Sequence, residues 1–149
     1  MSEEFATVQV QEGQNEYPKV DIGTRLISAI IDGVIQWIVS LIPFIGGIIG
    51  AAYMLLKDGL FESQSVGKKV MKLKVVELSG QKADFVVSAK RNVIFAIPSL
   101  IAIIPIIGWI IGPILSLIVA IVEIVTVLND PKGRRMGDKW GNTQVVAES

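Results

Sequence analysis

Residues 42–50 read Ile-Pro-Phe-Ile-Gly-Gly-Ile-Ile-Gly, and residues 104–112 repeat them as Ile-Pro-Ile-Ile-Gly-Trp-Ile-Ile-Gly. Seven of the nine positions are identical, at an offset of 62 residues. Each copy lies in the middle of a long apolar run. Because proline removes a backbone donor and glycine permits a tight turn, each copy is expected to interrupt a helix. The repeat therefore predicts two membrane-embedded hairpins in tandem.

The apolar runs have the length of membrane segments. Residues 26–56 contain one charge, Asp32, and residues 92–128 contain one, Glu123. A soluble domain of this size could not cover two such helices. The first run is 31 residues long and would measure roughly 46 Å as one helix, whereas the bilayer core is about 30 Å thick. We therefore predict an all-α, four-helix transmembrane bundle with spans at about 25–42, 44–57, 91–106 and 108–128.

Charge is segregated along the chain although the formal net charge is zero. Residues 1–24 carry one lysine and five acids, residues 57–91 carry eight basic and four acidic residues, and the two inter-helix turns carry no basic residue. The positive-inside rule then predicts a cytoplasmic loop (58–90), a cytoplasmic tail (129–149) and an inner or cell membrane location with both termini cytoplasmic. Residues 1–20 are predicted to form a flexible acidic arm, and 21–147 the membrane domain. The Lys-rich loop is expected to contact anionic lipid.

The composition argues against several functions. The chain has no Cys and no His, which excludes disulfides, thiol chemistry, the usual zinc ligands and His-based acid–base catalysis. No carboxylates, lysines or serines cluster at nucleophile–base spacing, so we expect neither an enzyme nor a metal or cofactor site. The basic loop adjoins the membrane and lacks interleaved aromatic residues, so nucleic acid is not an expected partner.

The repeat continues beyond the hairpins. An arginine precedes each hairpin, at Arg25 and Arg91, and a Gly-x-Lys motif follows each, at Gly67 and Gly137, with the same spacing to a Val-Val pair. Two copies with an even number of spans share one orientation, which predicts a pseudo-two-fold axis along the membrane normal. Short cytoplasmic strands are expected at 71–78, 84–87 and 143–147. A basic amphipathic helix over 66–77 is the alternative to the first strand.

Asp32 and Glu123 are the main candidate functional residues, because ionisable groups inside a bilayer are costly and mark a pathway, a relay or a structural pair. Asp32 either pairs with Arg25 or Arg91, or titrates and binds a proton or cation. Glu123 has no evident partner within its own helix. The candidate intramembrane charge site is therefore Arg25, Asp32, Arg91 and Glu123.

Several motifs together resemble the RDD family, which is named for one Arg and two Asp. Arg25 is followed seven positions later by Asp32-Gly33, as in the family's first motif. The other matches are Gly67-Lys68 to the central cytoplasmic motif, Arg91-Asn92 to the start of a later helix, and Asp138 with Thr143 to the closing motif. Lys72 and Asn142 stand where the family usually has glycine. The resemblance, over about residues 17–147, implies an integral membrane protein with a conjectured transport role, proposed in some members to be cation/proton antiport.

Two functions are therefore expected. The first is transport of cations or protons by a homo-oligomer, with Asp32 and Glu123 carrying the ion. The alternative is a non-catalytic accessory or scaffold subunit of a larger membrane complex. The Gly-xxx-Gly pairs at 46–50 and 108–112 permit close helix packing, either within each hairpin or between two copies of the chain.

Overall fold

The computed structural model describes residues 17–148, which form six helices and two strands. The elements are α1 Ile22–Ser40, α2 Gly46–Leu56, α3 Val66–Val70, β1 Leu73–Glu77, α4 Phe85–Ile101, α5 Ile107–Asn129, α6 Met136–Trp140 and β2 Thr143–Ala147, with a 3₁₀ turn Lys57–Gly59 after α2. The N-terminal arm predicted at 1–20 lies outside the described residues except for 17–20. In that segment the backbone oxygen of Tyr17 accepts a hydrogen bond from Gln144 Nε2 at 3.0 Å.

Helix α1 packs against α2, α4 packs against α5, and α2 and α4 also contact each other. A Cβ on Gly46 would lie 2.5 Å from the Val39 oxygen, and one on Gly108 would lie 2.1 Å from the Ile101 oxygen. These glycines therefore let the second helix of each pair touch the backbone of the first. The glycines of both Gly-xxx-Gly pairs contact the preceding helix, and packing between two copies of the chain stays a prediction.

The turn between the paired helices places its unusual backbone angle beside the glycines. Phe44 has φ of 67° and Ile106 has φ of 66°, a region that is costly for a side chain and most costly for a β-branched one. In the first turn, Ile45 donates its backbone N–H to the Pro43 oxygen at 2.8 Å. In the second turn, Ile107 donates its N–H to the Pro105 oxygen, also at 2.8 Å. The two copies thus share a three-residue γ-turn.

The first helix of each pair begins at an aspartate cap. The Asp21 carboxylate accepts from Thr24 N, and the Asp84 carboxylate accepts from Val87 N. These bonds satisfy orphan donors in the first helical turn. Consequently α4 begins at Phe85, about six residues before the predicted span, and the strand predicted at 84–87 is wrong because this segment is helical.

Helices α1 and α5 are long and apolar enough to cross a membrane. Their outer faces are apolar and exposed, with Trp37 and Trp109 each more than 60% exposed. Such faces match a hydrocarbon solvent. Helix α2, with 11 residues, measures only about 16 Å.

The two strands pair antiparallel into a small sheet at the charged end of the helices. Val75 faces Val145 at the centre of the register, and these residues hold the same position in the two copies of the repeat. Leu73, Val75 and Val145 are buried together with Ala83 in one apolar cluster. This cluster stabilises the sheet. The strands predicted at 71–78 and 143–147 are confirmed, at Leu73–Glu77 and Thr143–Ala147. Of the alternative helix over 66–77, only Val66–Val70 is helical, as α3.

Candidate functional site

A network of buried charges lies where α1, α4, α3, α6 and the 3₁₀ turn meet. Three aspartates organise it, Asp32, Asp58 and Asp138, and each is fully buried. A buried carboxylate is stable only when positive groups and hydrogen-bond donors surround it. Each aspartate accordingly has its own set of partners.

Asp32, in α1, holds the first hairpin to the start of α3. Its oxygens accept bonds from Ser65 Oγ at 2.6 Å, Gly67 N at 2.8 Å and Tyr53 OH at 3.1 Å. Lys57 Nζ lies 3.1 Å from Asp32 Oδ2. The expectation that Arg25 or Arg91 would pair with Asp32 is therefore wrong. The basic partner of Asp32 is Lys57, the first residue of the 3₁₀ turn after α2.

Asp138, in α6, forms ion pairs with three arginines. Its oxygens lie 2.9 Å from Arg25 Nη2, 2.5 Å from Arg91 Nη2 and 3.3 Å from Arg135 Nε. Since α1, α4 and α6 supply these groups, the carboxylate joins both hairpins to the C-terminal segment. Thr143, fully buried at the start of β2, donates to the Asp138 backbone oxygen at 3.3 Å.

Asp58, in the 3₁₀ turn, connects the two halves of the network. It accepts from Lys68 Nζ at 2.6 Å and from Asn92 Nδ2 at 2.8 Å. Its Oδ2 also lies 3.7 Å from Arg91 Nη1. Asp58 thus couples α3 of the first half to α4 of the second.

Glu123, in α5, meets the N-terminus of α6. Its carboxylate accepts from Met136 N at 2.8 Å and from Gly137 N at 3.4 Å, and it is 2% exposed. This is the partner that its own helix could not provide. Negative charge is stabilised there by the free N–H groups of the first turn.

Ionisation in the part of the network outside the long helices depends on the balance of burial and charge. Burial opposes the charged form of Asp58, but Lys68, Arg91 and Lys57 outweigh it and hold the pKa of Asp58 well below its usual value. Burial likewise opposes ionisation of Asp138, whose pKa is nevertheless lowered by its arginines. Burial lowers the pKa of Lys68 to about 8, against the opposing effect of Asp58.

The two glycines of the Gly-x-Lys motifs are docking points. A Cβ on Gly67 would lie 2.1 Å from the Ser28 oxygen, and one on Gly137 would lie 1.9 Å from the Arg91 oxygen. Only glycine allows these backbones to meet, and the contact brings Lys68 and Asp138, one residue later in each motif, into the network.

Lys72 and Asn142, which depart from the family pattern, lie at matching positions after α3 and α6. Their φ angles are 52° and 51°, in the left-handed region that glycine adopts without strain. The left-handed backbone explains why a glycine would be favoured at these two positions. This chain has a side chain at both of them. Asn142 is the better tolerated, because Asn visits this region far more readily than Lys.

Comparison with known proteins agrees with this geometry. A model of the RDD family, a family of membrane proteins, matches residues 27–142. The chain belongs to the RDD family. The match includes Asp32 and Asp138 and begins just after Arg25. No curated protein and no solved structure shows a significant match to this RDD protein.

The structure brings most of the candidate residues of this RDD protein into one region. Arg25, Arg91 and Asp138 form one cluster, Asp32, Gly67 and Lys68 lie in the adjoining one, and Glu123 and Thr143 support α6. The sequence reasoning missed Lys57, Asp58 and Arg135. No sequence pattern identified them, because Lys57 pairs with Asp32, Asp58 with Lys68 and Arg135 with Asp138, and these pairs depend on the tertiary fold.

The basic loop of the RDD protein is less available to lipid than its composition predicted. Lys57 and Lys68 are buried in the network, whereas Lys69, Lys72 and Lys90 are exposed. Among residues 17–148, no three acidic side chains converge so that they could hold a metal ion.

Proposed function

We propose that this RDD protein is a small multi-pass transporter of the cell membrane, with both hairpins inserted and both termini in the cytoplasm. The apolar exposed faces of α1 and α5 support insertion. The charge network and the basic loop lie at the end of the helices away from both Pro-Gly turns, which the positive-inside rule makes cytoplasmic. The pseudo-two-fold axis of the hairpins would then lie along the membrane normal.

The proposed spans are short, and this favours an oligomer. Helix α2 measures about 16 Å and α4 about 25 Å, so neither alone covers a core of about 30 Å. A second copy of the chain beside them would shield their ends from mismatched lipid. We therefore propose a homo-oligomer as the working form.

One observation carries the transport proposal: an ion-pair network whose three aspartates are fully buried borders the membrane helices. Buried ion pairs are no more stabilising than well-packed apolar residues of similar size. Charges at this position are expected to serve a pathway or a relay. Asp32 is engaged by four protein donors, including Tyr53 and Lys57, so the Lys68–Asp58 pair is the better candidate for the titrating step.

Protons suit this pair better than metal cations. Lys68 is buried, and its pKa of about 8 places proton loss close to physiological pH. Basic groups outnumber carboxylates around it, which repels metal cations. We propose that Lys68 exchanges its proton while Asp58 stays ionised, so that the ion pair between α3 and the 3₁₀ turn forms and breaks with each proton transferred.

The test is proton flux in vesicles. Purified protein is reconstituted with a pH-sensitive dye inside, and a pH gradient or a membrane potential is imposed. Asp58→Asn should abolish proton movement, while Glu62→Gln, which alters an exposed pair with Lys82, should leave it unchanged. Asp32→Asn and Glu123→Gln test the carboxylates first expected to carry ions. A wild-type protein that moves no protons under any gradient would falsify the proposal.

An accessory or scaffold subunit is the second candidate. It is favoured by the way Asp32, Asp138 and Glu123 tie α3 and α6 to the membrane helices, because this arrangement supports a rigid surface for a partner as well as a pathway. The mass and composition of the gently solubilised native complex distinguish the two. A second protein in fixed stoichiometry, without flux, supports this candidate.

A further inference from the structure

A cavity of about 300 Å³ lies at the end of the helices that carries the two Pro-Gly turns. Its lining includes residues from the turn-proximal ends of all four helices: Ser40 of α1, Gly47 of α2, Ala102 directly after α4, and Trp109 of α5. The volume is on the order of twenty times the space that one water molecule requires. The charge network lies at the opposite end of the helices, so this cavity is a separate feature.

Polar side chains from three helices line the cavity: Gln36 and Ser40 of α1, Ser99 of α4, and Ser116 of α5. Ser40 and Ser116 are exposed, while Gln36 and Ser99 are half-buried. Amide and hydroxyl groups are costly to place in hydrocarbon. Water in the cavity would give them the partners that lipid chains cannot offer.

The backbone around the cavity also needs hydrogen-bond partners. Helices α2 and α5 begin without a side-chain cap, so the helices themselves leave N–H groups of their first turns free. Gly47 and Trp109 lie in these first turns and line the cavity. Pro113, inside α5, has no N–H to give to the Trp109 oxygen one turn earlier. Such backbone is tolerated at membrane depth where it lines a water-filled cavity.

A hydrogen bond between the two hairpins lies at the inner end of the cavity. Gln36 Nε2 donates to Ser99 Oγ at 2.6 Å, which links α1 to α4. Asp32, four residues before Gln36, lies on the same face of α1 and is fully buried. The bond between Gln36 and Ser99 therefore lies between the cavity and the first carboxylate of the charge network.

We infer that this cavity is a water-filled vestibule, open to the outer side of the membrane, that brings water and protons within one helical turn of Asp32. Gln36 and Ser99 form its floor. The role of the vestibule rests on the proposed proton transport and topology, whereas the presence of water in it is tested without measuring flux.

Substituted cysteines test for water in the cavity. The chain has no cysteine of its own, and thiol reagents attack the thiolate, which water stabilises and hydrocarbon does not. Ser40→Cys and Ser116→Cys place a thiol in the cavity with little change in volume. Ile38→Cys and Leu117→Cys are matched controls, because both residues are exposed apolar positions of the same helices and neither lines the cavity. A membrane-impermeant methanethiosulfonate is added to sealed right-side-out vesicles, and the intact mass of the full chain measures labelling over time.

We expect both cavity variants to be labelled about tenfold faster than their controls or more, because a thiol that faces hydrocarbon forms little thiolate. Adding Ala102→Phe to Ser116→Cys should slow the labelling, because the ring fills the cavity. Equal labelling of Ser116→Cys and Leu117→Cys would overturn the inference. So would labelling of the cavity variants only in inside-out vesicles, or an undiminished rate with Ala102→Phe in protein that circular dichroism shows to be folded.

The same variants separate this inference from the proposed function. Fast labelling of the cavity in a protein that moves no protons supports the vestibule and overturns the transport proposal alone. In a protein that does move protons, Gln36→Leu should lose most of the flux, because it makes the floor apolar, while the labelling of Ser116→Cys stays fast. Undiminished flux in Gln36→Leu would overturn the role of the vestibule in transport.

Discussion

The two halves of the molecule, residues 21–77 and 84–147, share a backbone plan but differ in the charges placed on it. Each begins at an aspartate cap, turns through a proline γ-turn, and ends in a five-residue helix and a five-residue strand. In the first half the short helix docks on the carboxylate of Asp32, from the first helix of the hairpin. In the second it docks on Glu123, from the second helix.

The basic partners differ as well. Lysines, Lys57 and Lys68, serve the first half, while Arg91 and Arg135 serve the second, joined by Arg25 from the first. A lysine can lose its proton when buried, whereas an arginine stays charged. The comparison indicates that the second half is a fixed clamp and that the first half holds the group able to change its charge.

The largest effect should come from breaking the clamp. Asp138→Asn leaves three arginines around a neutral amide and should cost about 3–5 kcal/mol, as expected for a broken buried pair. Asp32→Asn should cost less, about 1–3 kcal/mol, because Tyr53 and Ser65 can still bond to the amide. Thermal unfolding in detergent measures both. Equal losses would contradict the distinction between the halves.

The docking glycines should have the next largest effect, and it should be similar in both halves. Alanine at Gly67 or Gly137 places a Cβ within about 2 Å of backbone oxygen and should cost about 1–3 kcal/mol by overpacking. Gly33 is the control, because a Cβ there meets nothing within 4 Å. In α1, Gly33→Ala should stabilise the helix by roughly 1 kcal/mol. If Gly67→Ala behaves like Gly33→Ala, the docking contact has no energetic role.

The pH dependence should separate the halves. Because the pKa of Lys68 is lowered to about 8 in the folded state, the unfolded chain binds more protons between about pH 8 and pH 10. Stability from this group therefore rises with pH, by up to about 1.4 kcal/mol per pH unit. Subtracting the unfolding free energy of Lys68→Met from that of the wild type across this range isolates the effect.

Both halves should lose stability in acid. This acid loss is the reference for the alkaline measurement on Lys68, because it is expected in the wild type and in Lys68→Met alike. The pKa values of Asp58 and Asp138 are lowered on folding. Their contribution is therefore complete above about pH 4 and is lost as the pH falls further. A Lys68→Met variant that still shows the full alkaline rise would show that another group titrates.

The smallest effect concerns the two left-handed residues. Lys72→Gly should gain about 1 kcal/mol by relieving backbone strain. Asn142→Gly should gain only a few tenths of this, because Asn already tolerates the conformation. Chemical unfolding resolves the difference. Equal gains would mean that the two turns are equally strained.

Sequence reasoning found the features that depend on local composition. Apolar length and the prolines at 43 and 105 predicted the hairpins, and alternating residues at 71–78 predicted β1. The partners of the buried charges could not be predicted from local composition. They depend on α3 and α6, two five-residue helices that are too short to show a hydrophobic period. Once Gly67 and Gly137 bring these helices onto α1 and α4, Lys68 meets Asp58 and the arginines meet Asp138.

The bond between Arg25 and Asp138 has a consequence for synthesis. The two residues are 113 positions apart. At about 5–20 residues per second, the ribosome needs on the order of ten seconds to reach Asp138 after Arg25. During that interval Arg25 lacks the carboxylate that α6 supplies. Synthesis of α6 is therefore expected to be the step that neutralises Arg25, and a product truncated before Asp138 would keep this arginine without its acidic partner.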